Sequence, residues 1–212
     1  LEIGCGWGGF SEYLAKKYDV YVDCVTISKQ QLDYSKKRIF DNGLDNKVNV
    51  RFLDYRDLKG KYDKIASIEM IEAVGEKYLN DYFKKIKNSL NKNGKAAIQG
   101  ITIRDDLFSR YKHSEDFIQK YIFPGGFLPS LNLIKELTTE NNLSLEKVNS
   151  YSNDYAKTLS VWRKNFLNTW DKIAPLGFDN YFKRMWEFYL SYCEAGFRSK
   201  NIDLIQFSMS NK

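Results

Sequence analysis

The chain has 212 residues, 43% hydrophobic and 16% aromatic, enough for one domain with a substantial core, which excludes wholesale disorder. Its 33 lysines and arginines against 27 aspartates and glutamates leave a net charge of +6, which favours an anionic partner without choosing between nucleic acid and lipid. No run approaches the roughly 18 apolar residues a membrane span needs, and three dispersed cysteines with a single histidine exclude a disulfide framework, a structural zinc site and a histidine-rich centre.

Leu1-Glu2-Ile3 reads as the end of a buried strand, so a longer natural chain is expected. A glycine-rich stretch, Gly4–Gly9, leads into a helix over Phe10–Tyr18. Val20–Thr26 is predicted as a second strand, and Ser28 caps a helix to about Phe40, stopped by Asn42-Gly43. Val48–Leu53 and Tyr62–Ile68 read as strands three and four. Tyr78–Leu90 carries a helical apolar stripe, and Asn93-Gly94 is expected to turn the chain into a fifth strand, Ala96–Ile103. Alternation at this pitch predicts a doubly wound α/β fold on a mostly parallel sheet.

From Arg104 the rhythm changes. Residues 104–130 are too long for an ordinary βα connection and are expected to form an inserted helical lid. Pro129-Ser130 starts a helix to about Glu140, and Leu143–Val148 is a sixth strand. Two aromatic-rich helices, Tyr155–Ile173 and Phe178–Gly196, precede a closing seventh strand, Ile202–Ser208.

Gly4, Gly6 and Gly9 satisfy G-x-G-x-x-G between a strand and a helix. Alone, this fits a dinucleotide, another nucleoside cofactor or a tight βα turn. Glu2 extends it to E-x-G-x-G-x-G, the pattern of class I S-adenosylmethionine (SAM) methyltransferases. A carboxylate there suits a cationic methionyl group better than a diphosphate; the other reading of Glu2 is a solvated charge at a strand end.

Further along, the chain resembles the cyclopropane-fatty-acyl-phospholipid synthases and the related mycolic acid cyclopropane synthases. The motifs that carry the likeness are LEIGCGWGGF (Leu1–Phe10), VTISKQQ (Val25–Gln31), DYRD (Asp54–Asp57), SIEMIEAVG (Ser67–Gly75), YIFPGGFLPS (Tyr121–Ser130), YAKTL (Tyr155–Leu159) and YCEAGFR (Tyr192–Arg198). They cover essentially the whole chain.

The resemblance implies a Rossmann-like class I SAM methyltransferase domain over residues 1–212, with the family's N-terminal cap and cysteine ligand lying upstream. It implies methyl transfer from SAM to the cis double bond of an unsaturated phospholipid acyl chain, then proton loss to close a cyclopropane. A bound bicarbonate is the implied base, held by positions matching Glu72, Gln99, the backbone at Ile101, and Tyr155. Gln99 departs from the histidine of well-known members and cannot titrate. For SAM, the resemblance puts Glu2, Gly4 and Gly6 at the methionyl part. Thr26, Ile27 and Gln31 then lie near the ribose, and Ile68 lies beneath the ligand. Tyr55 either flanks the adenine or packs in the core. No metal is implied. The implied setting is cytoplasmic and peripheral on the inner membrane face, with no nucleic acid partner and a homodimer as one possible assembly.

Other readings remain at this stage. A branched fatty acid product or a small-molecule N-methyltransferase keeps SAM, and a non-catalytic nucleic-acid module would use the charge. A nicotinamide enzyme would use Asp23, which follows Gly4 at nearly the spacing of a ribose-binding acid. Cys5, Cys24 and Cys193 read as core thiols, His113 as a surface residue and Glu69 as structural. Lys84, Lys85, Lys87 and Lys92 form either a solvated helix face or a membrane-docking patch.

Overall fold

The computed structural model describes residues 1–211. In chain order it comprises β1 (Glu2–Ile3), α1 (Gly9–Lys17), β2 (Val22–Thr26), α2 (Lys29–Asp41), β3 (Val48–Phe52), β4 (Tyr62–Ile68) and α3 (Leu79–Ser89). There follow β5 (Leu90–Ile103), α4 (Asp105–Lys112), α5 (Phe117–Tyr121), α6 (Leu131–Glu140), β6 (Ser144–Ser150), α7 (Ser152–Asn168), α8 (Trp170–Ile173), α9 (Asn180–Arg198) and β7 (Ile202–Ser210). The strands form one seven-stranded sheet in the order β3-β2-β1-β4-β5-β7-β6, with β7 antiparallel to both its neighbours. This is the doubly wound, mostly parallel arrangement expected from the alternation of elements.

Burial explains the layering. Tyr82, Phe83 and Ile86 of α3 and Ile134 of α6 are fully enclosed against Ile3, Ile65, Ile98 and Phe207 on one face. On the other, α1 and α2 cover β2 and β3 through Ala15, Ile39, Val22 and Val50. There also α7 and α9 cover β7 through Leu159, Leu190, Phe197 and Leu204. Two helix starts form as their sequences dictate: the Ser28 hydroxyl accepts from the Gln31 amide and the Ser130 hydroxyl from the Leu133 amide.

Three of the boundaries that differ from expectation have a clear structural reason. β2 starts at Val22 because Tyr21 is solvent-exposed and the first ladder bond runs from the Val22 amide to the Lys47 carbonyl. Asn93-Gly94 does not end a helix–strand turn; it lies within a longer β5 as an irregularity, with Asn93 at φ 61° and the register to β4 shifting between Tyr62 and Lys64. The predicted helix from Tyr155 starts earlier, at Ser152, and breaks at Thr169, whose hydroxyl turns back onto the Asn165 carbonyl at 2.7 Å.

Candidate active site

β1 lies between β2 and β4, and its carboxyl end runs directly into the glycine loop. The Gly4 and Cys5 amides both donate to the Val25 carbonyl at 3.0 Å, folding the loop over the end of β2. Gly4 and Gly6 hold φ values of 79° and 51°, where any side chain would be strained. A Cβ on Gly4 would also crowd Met70 Cγ at 3.1 Å. Gly8 precedes α1 and brings no side-chain cap, while the Ser11 amide in the first turn is turned to the Glu2 carboxylate.

Glu2 is 3% exposed, which removes the reading of a solvated strand-end charge. Its carboxylate accepts from the Ser11 hydroxyl in the first turn of α1, and burial pushes its pKa up to about 7. It therefore ties the loop to the helix. Thr26, buried at the end of β2, donates to Gln31 Oε1 at 2.9 Å and accepts from the Ser28 amide, while Ile27 projects outward. Tyr55 sets its ring edge-on to the buried Tyr82, centroids 5.7 Å apart, so it packs against the core whatever else it contacts. Ile68 ends β4 in register with Gln99 of β5.

Beyond Ile68 the chain makes an unusual bend. Glu69 has φ 54°, a conformation costing a non-glycine residue on the order of 1–3 kcal/mol. Its amide donates to the Gln99 carbonyl at 3.0 Å, and its Oε1 accepts from Gln99 Nε2 at 3.0 Å. Gln99 Oε1 accepts in turn from Gln206 Nε2 at 2.7 Å. Glu72 follows on a single 3-10 turn, Ile71–Ala73. Its Oε1 accepts from the Ile101 amide at 2.5 Å, while its Oε2 is buried without a partner. Burial, then the charge of Glu69, pushes the Glu72 carboxyl up to about 7.

The YIFPGGFLPS segment fixes Glu72 from the other side. The Phe127 amide donates to the Glu72 carbonyl at 2.9 Å, and Gly126 has no room for a Cβ, which would lie 2.9 Å from the Phe123 carbonyl. The preceding α4 and α5 are joined to this segment by Gln119, whose amide donates to the Tyr111 hydroxyl and the Gly126 carbonyl.

Tyr155, in the first turns of α7, packs its ring edge-on to Phe197 at 4.9 Å. Burial raises its hydroxyl pKa, and the charge of Glu69 adds to the shift. Tyr189 of α9, pushed up to about 12 by burial, feels Cys193 and Glu69 as well. Glu69, Glu72, Gln99, Ile101 and Tyr155 thus form one neighbourhood at the carboxyl edge of β4 and β5. Glu69, expected only as a structural residue, and Tyr189 join them. Two glutamates three apart after strand four, opposite Gln99, were the available signal.

The bicarbonate expected from the resemblance fits this neighbourhood poorly. The Ile101 amide and one Gln99 N–H, the donors meant for its oxygens, are engaged by the two glutamates. Glu69 adds a second negative charge. The buried, partnerless Glu72 Oε2 and the Tyr155 hydroxyl, which no neighbouring side chain engages, are the features in the anion's favour.

Cys193 is pushed up to about 12 by burial and is an unreactive thiol. Cys5 and Cys24 are buried in the core, as expected. The lysine patch is partly occupied: Lys85 donates to the Leu58 carbonyl at 2.6 Å, and Lys87 to Asn142 and Asn211. Among the described residues no helix is long and apolar enough to cross a membrane.

Comparison with known proteins gives a consistent result. Residues 1–207 match the family described as mycolic acid cyclopropane synthetase. A tuberculostearic acid methyltransferase, UfaA1 of Mycobacterium tuberculosis, is 40% identical over 210 residues, covering 99% of this chain and 49% of that protein. The cyclopropane-fatty-acyl-phospholipid synthase of Escherichia coli K12 is 39% identical over 214 residues, 99% of this chain and 52% of that protein. The chain therefore spans about half the length of these curated relatives. The mycolic acid cyclopropane synthase CmaA1, solved with S-adenosylhomocysteine (SAH) and CTAB, superposes with a TM-score of 0.90 at 26% identity, over 99% of this chain and 76% of that one.

Proposed function

The chain belongs to the mycolic acid cyclopropane synthetase family, whose fold is that of class I SAM-dependent methyltransferases, and from that premise we propose that it methylates the cis double bond of an unsaturated phospholipid acyl chain and closes a cyclopropane. The observation that carries the reading is the acidic neighbourhood of Glu69, Glu72 and Tyr155, set on the same sheet edge as the glycine loop.

SAM, when bound, supplies an electrophilic methyl carbon on a sulfonium. In our reading Gly4 and Gly6 give its methionyl part close access to backbone, with Glu2 holding the loop in shape. Thr26, Ile27 and Gln31 lie toward the ribose, Tyr55 toward the adenine, and Ile68 beneath the ligand. The alkene is a poor nucleophile, yet no activated serine or cysteine is required. The residues must instead hold the double bond close, exclude water and receive one proton. Glu72 and Tyr155 line the place where that proton departs. Residues 104–130 act as a lid whose Phe127 amide reports directly to Glu72.

For the lipid, we favour docking at a membrane surface through α5 and α9. Phe117, Phe188 and Tyr192 form an aromatic cluster there, with Phe188 and Tyr192 largely exposed. Phe123 bridges from that side of the molecule to Tyr189, with centroids 6.1 Å apart. A second reading, supported by the relative named a tuberculostearic acid methyltransferase, gives a methyl- or methylene-branched chain.

The test uses the complete reading frame containing this chain, SAM deuterated in its methyl group and vesicles of unsaturated phosphatidylglycerol. Acyl chains gaining one carbon with two of the three deuterons are expected. Absence of labelled lipid from a preparation that binds SAH would refute the lipid assignment.

A further inference from the structure

We propose that the Glu69 carboxylate is itself the proton acceptor of this site, in the role that the resemblance gives to bicarbonate; the inference rests on the lipid methylation reading above. Three observations converge on Glu69. The first is its backbone. A non-glycine residue at φ 54° is held there by its own amide on the Gln99 carbonyl. Such an outlier persists only where the surroundings impose it, and it turns the carboxylate from the end of β4 toward β5.

The second is a directed hydrogen-bond chain. Gln206 donates to Gln99, and Gln99 donates to Glu69, so every donor points toward that one carboxylate. Gln99 cannot titrate. Glu69 can, and its partner on β5 is the very residue that replaces the family's histidine. The pair therefore restores a titratable group to the position where the amide alone has none.

The third is charge. The groups facing Glu69 are Glu72, Tyr155 and Tyr189, with Cys193 beyond them. Among the described residues, no lysine, arginine or histidine bears on its charge. A diffusible anion entering here would meet the Glu69 carboxylate with no cation to offset it. The same field suits a sulfonium and the carbocation that follows it. Each carboxyl has its Oε1 engaged, but Glu72 Oε2 is enclosed whereas Glu69 is accessible, which makes Glu72 the less suited acceptor. The two carboxyls then divide the work. Glu72 tends to hold its proton, and Glu69 stands ready to take one.

The alkene π pair forms the bond to the methyl carbon while the C–S pair stays on sulfur, releasing SAH. A C–H bond of the new methyl then breaks, its electron pair closes the third side of the ring, and the proton passes to a Glu69 oxygen.

Glu69→Gln keeps the acceptor for Gln99 and removes the charge, so the fold and SAH affinity should hold. We expect methylated lipid formation to fall by about 10²-fold or more, with the acidic limb of the wild-type kcat profile absent from the residual activity. Added bicarbonate should not restore the rate. Wild-type protein should keep its rate in carbonate-depleted buffer and show no bound resonance with carbon-13 bicarbonate. Near-wild-type turnover by Glu69→Gln, or a wild-type rate that needs bicarbonate, or a bound bicarbonate signal, would each overturn the inference alone. Wild-type protein that binds SAH and methylates no acyl chain would overturn the functional reading, and the inference with it.

Discussion

Gly100 shows how closely the acidic neighbourhood is packed. A Cβ there would collide with Ile71 Cγ2 and come within 3.2 Å of Glu72 Oε1. Gly100→Ala is expected to lose about 1–3 kcal/mol of stability in urea unfolding and to lower turnover while SAH affinity, set at the glycine loop, stays unchanged. Unchanged turnover would show that Glu72 need not sit where it does. A pH effect follows from the buried carboxyls. Glu2 and Glu72 are both pushed up to about 7 by burial, from an unfolded value near 4.5. The folded chain thus binds their protons more tightly, so this contribution is complete below about pH 4.5 and is lost as pH rises toward 7. Stability should fall across that window. Glu2→Gln, which keeps an acceptor for Ser11, should flatten the fall, as urea midpoints at pH 5 and 8 would reveal. An equally steep fall in the variant would mean that Glu2 is not held protonated.

Among the elements, the PGG segment carries the sharpest expectation. Gly126→Ala would drive a Cβ against the Phe123 carbonyl and displace the Phe127 amide from Glu72. Turnover should fall with little change in SAH affinity; equal loss of both would mean the segment serves the cofactor as well. For α9, Phe188→Ser should weaken flotation with anionic vesicles, whereas Lys85→Ala, already tied to Leu58, should not. The reverse ranking would return the docking surface to α3.

Element by element, legibility followed locality. Ser28 and Ser130 were readable as helix starts because a cap is decided within three residues. The irregular Asn93-Gly94 was not, because the bonds that hold that stretch are non-local: the Asn93 amide donates to the Asn211 carbonyl and the Asn211 amide to the Gly94 carbonyl. The break at Thr169 depends on packing of α8 that no periodicity announces. For the site, the resemblance names Glu72, Gln99, Ile101 and Tyr155, which lie on three separate segments that the fold brings together. Glu69 read only as structural because its further relevance lies in a left-handed backbone and a cross-strand partner. Glu2 was readable as a loop carboxylate, but its Ser11 partner was not.

For the whole molecule, one sheet edge unites a glycine loop, two glutamates, a tyrosine and a segment that leads outward to exposed aromatics. In our proposal this edge builds a one-carbon addition onto an unsaturated acyl chain. The most direct measurement expresses the complete reading frame in a bacterium lacking its own cyclopropane synthase. Fatty acid methyl esters are then analysed by gas chromatography–mass spectrometry, before and after catalytic hydrogenation. New chains heavier by one CH2 than the unsaturated parents are expected, resisting hydrogenation under conditions that saturate ordinary alkenes. An unchanged lipid profile, from cells holding folded protein that binds SAH, would contradict it.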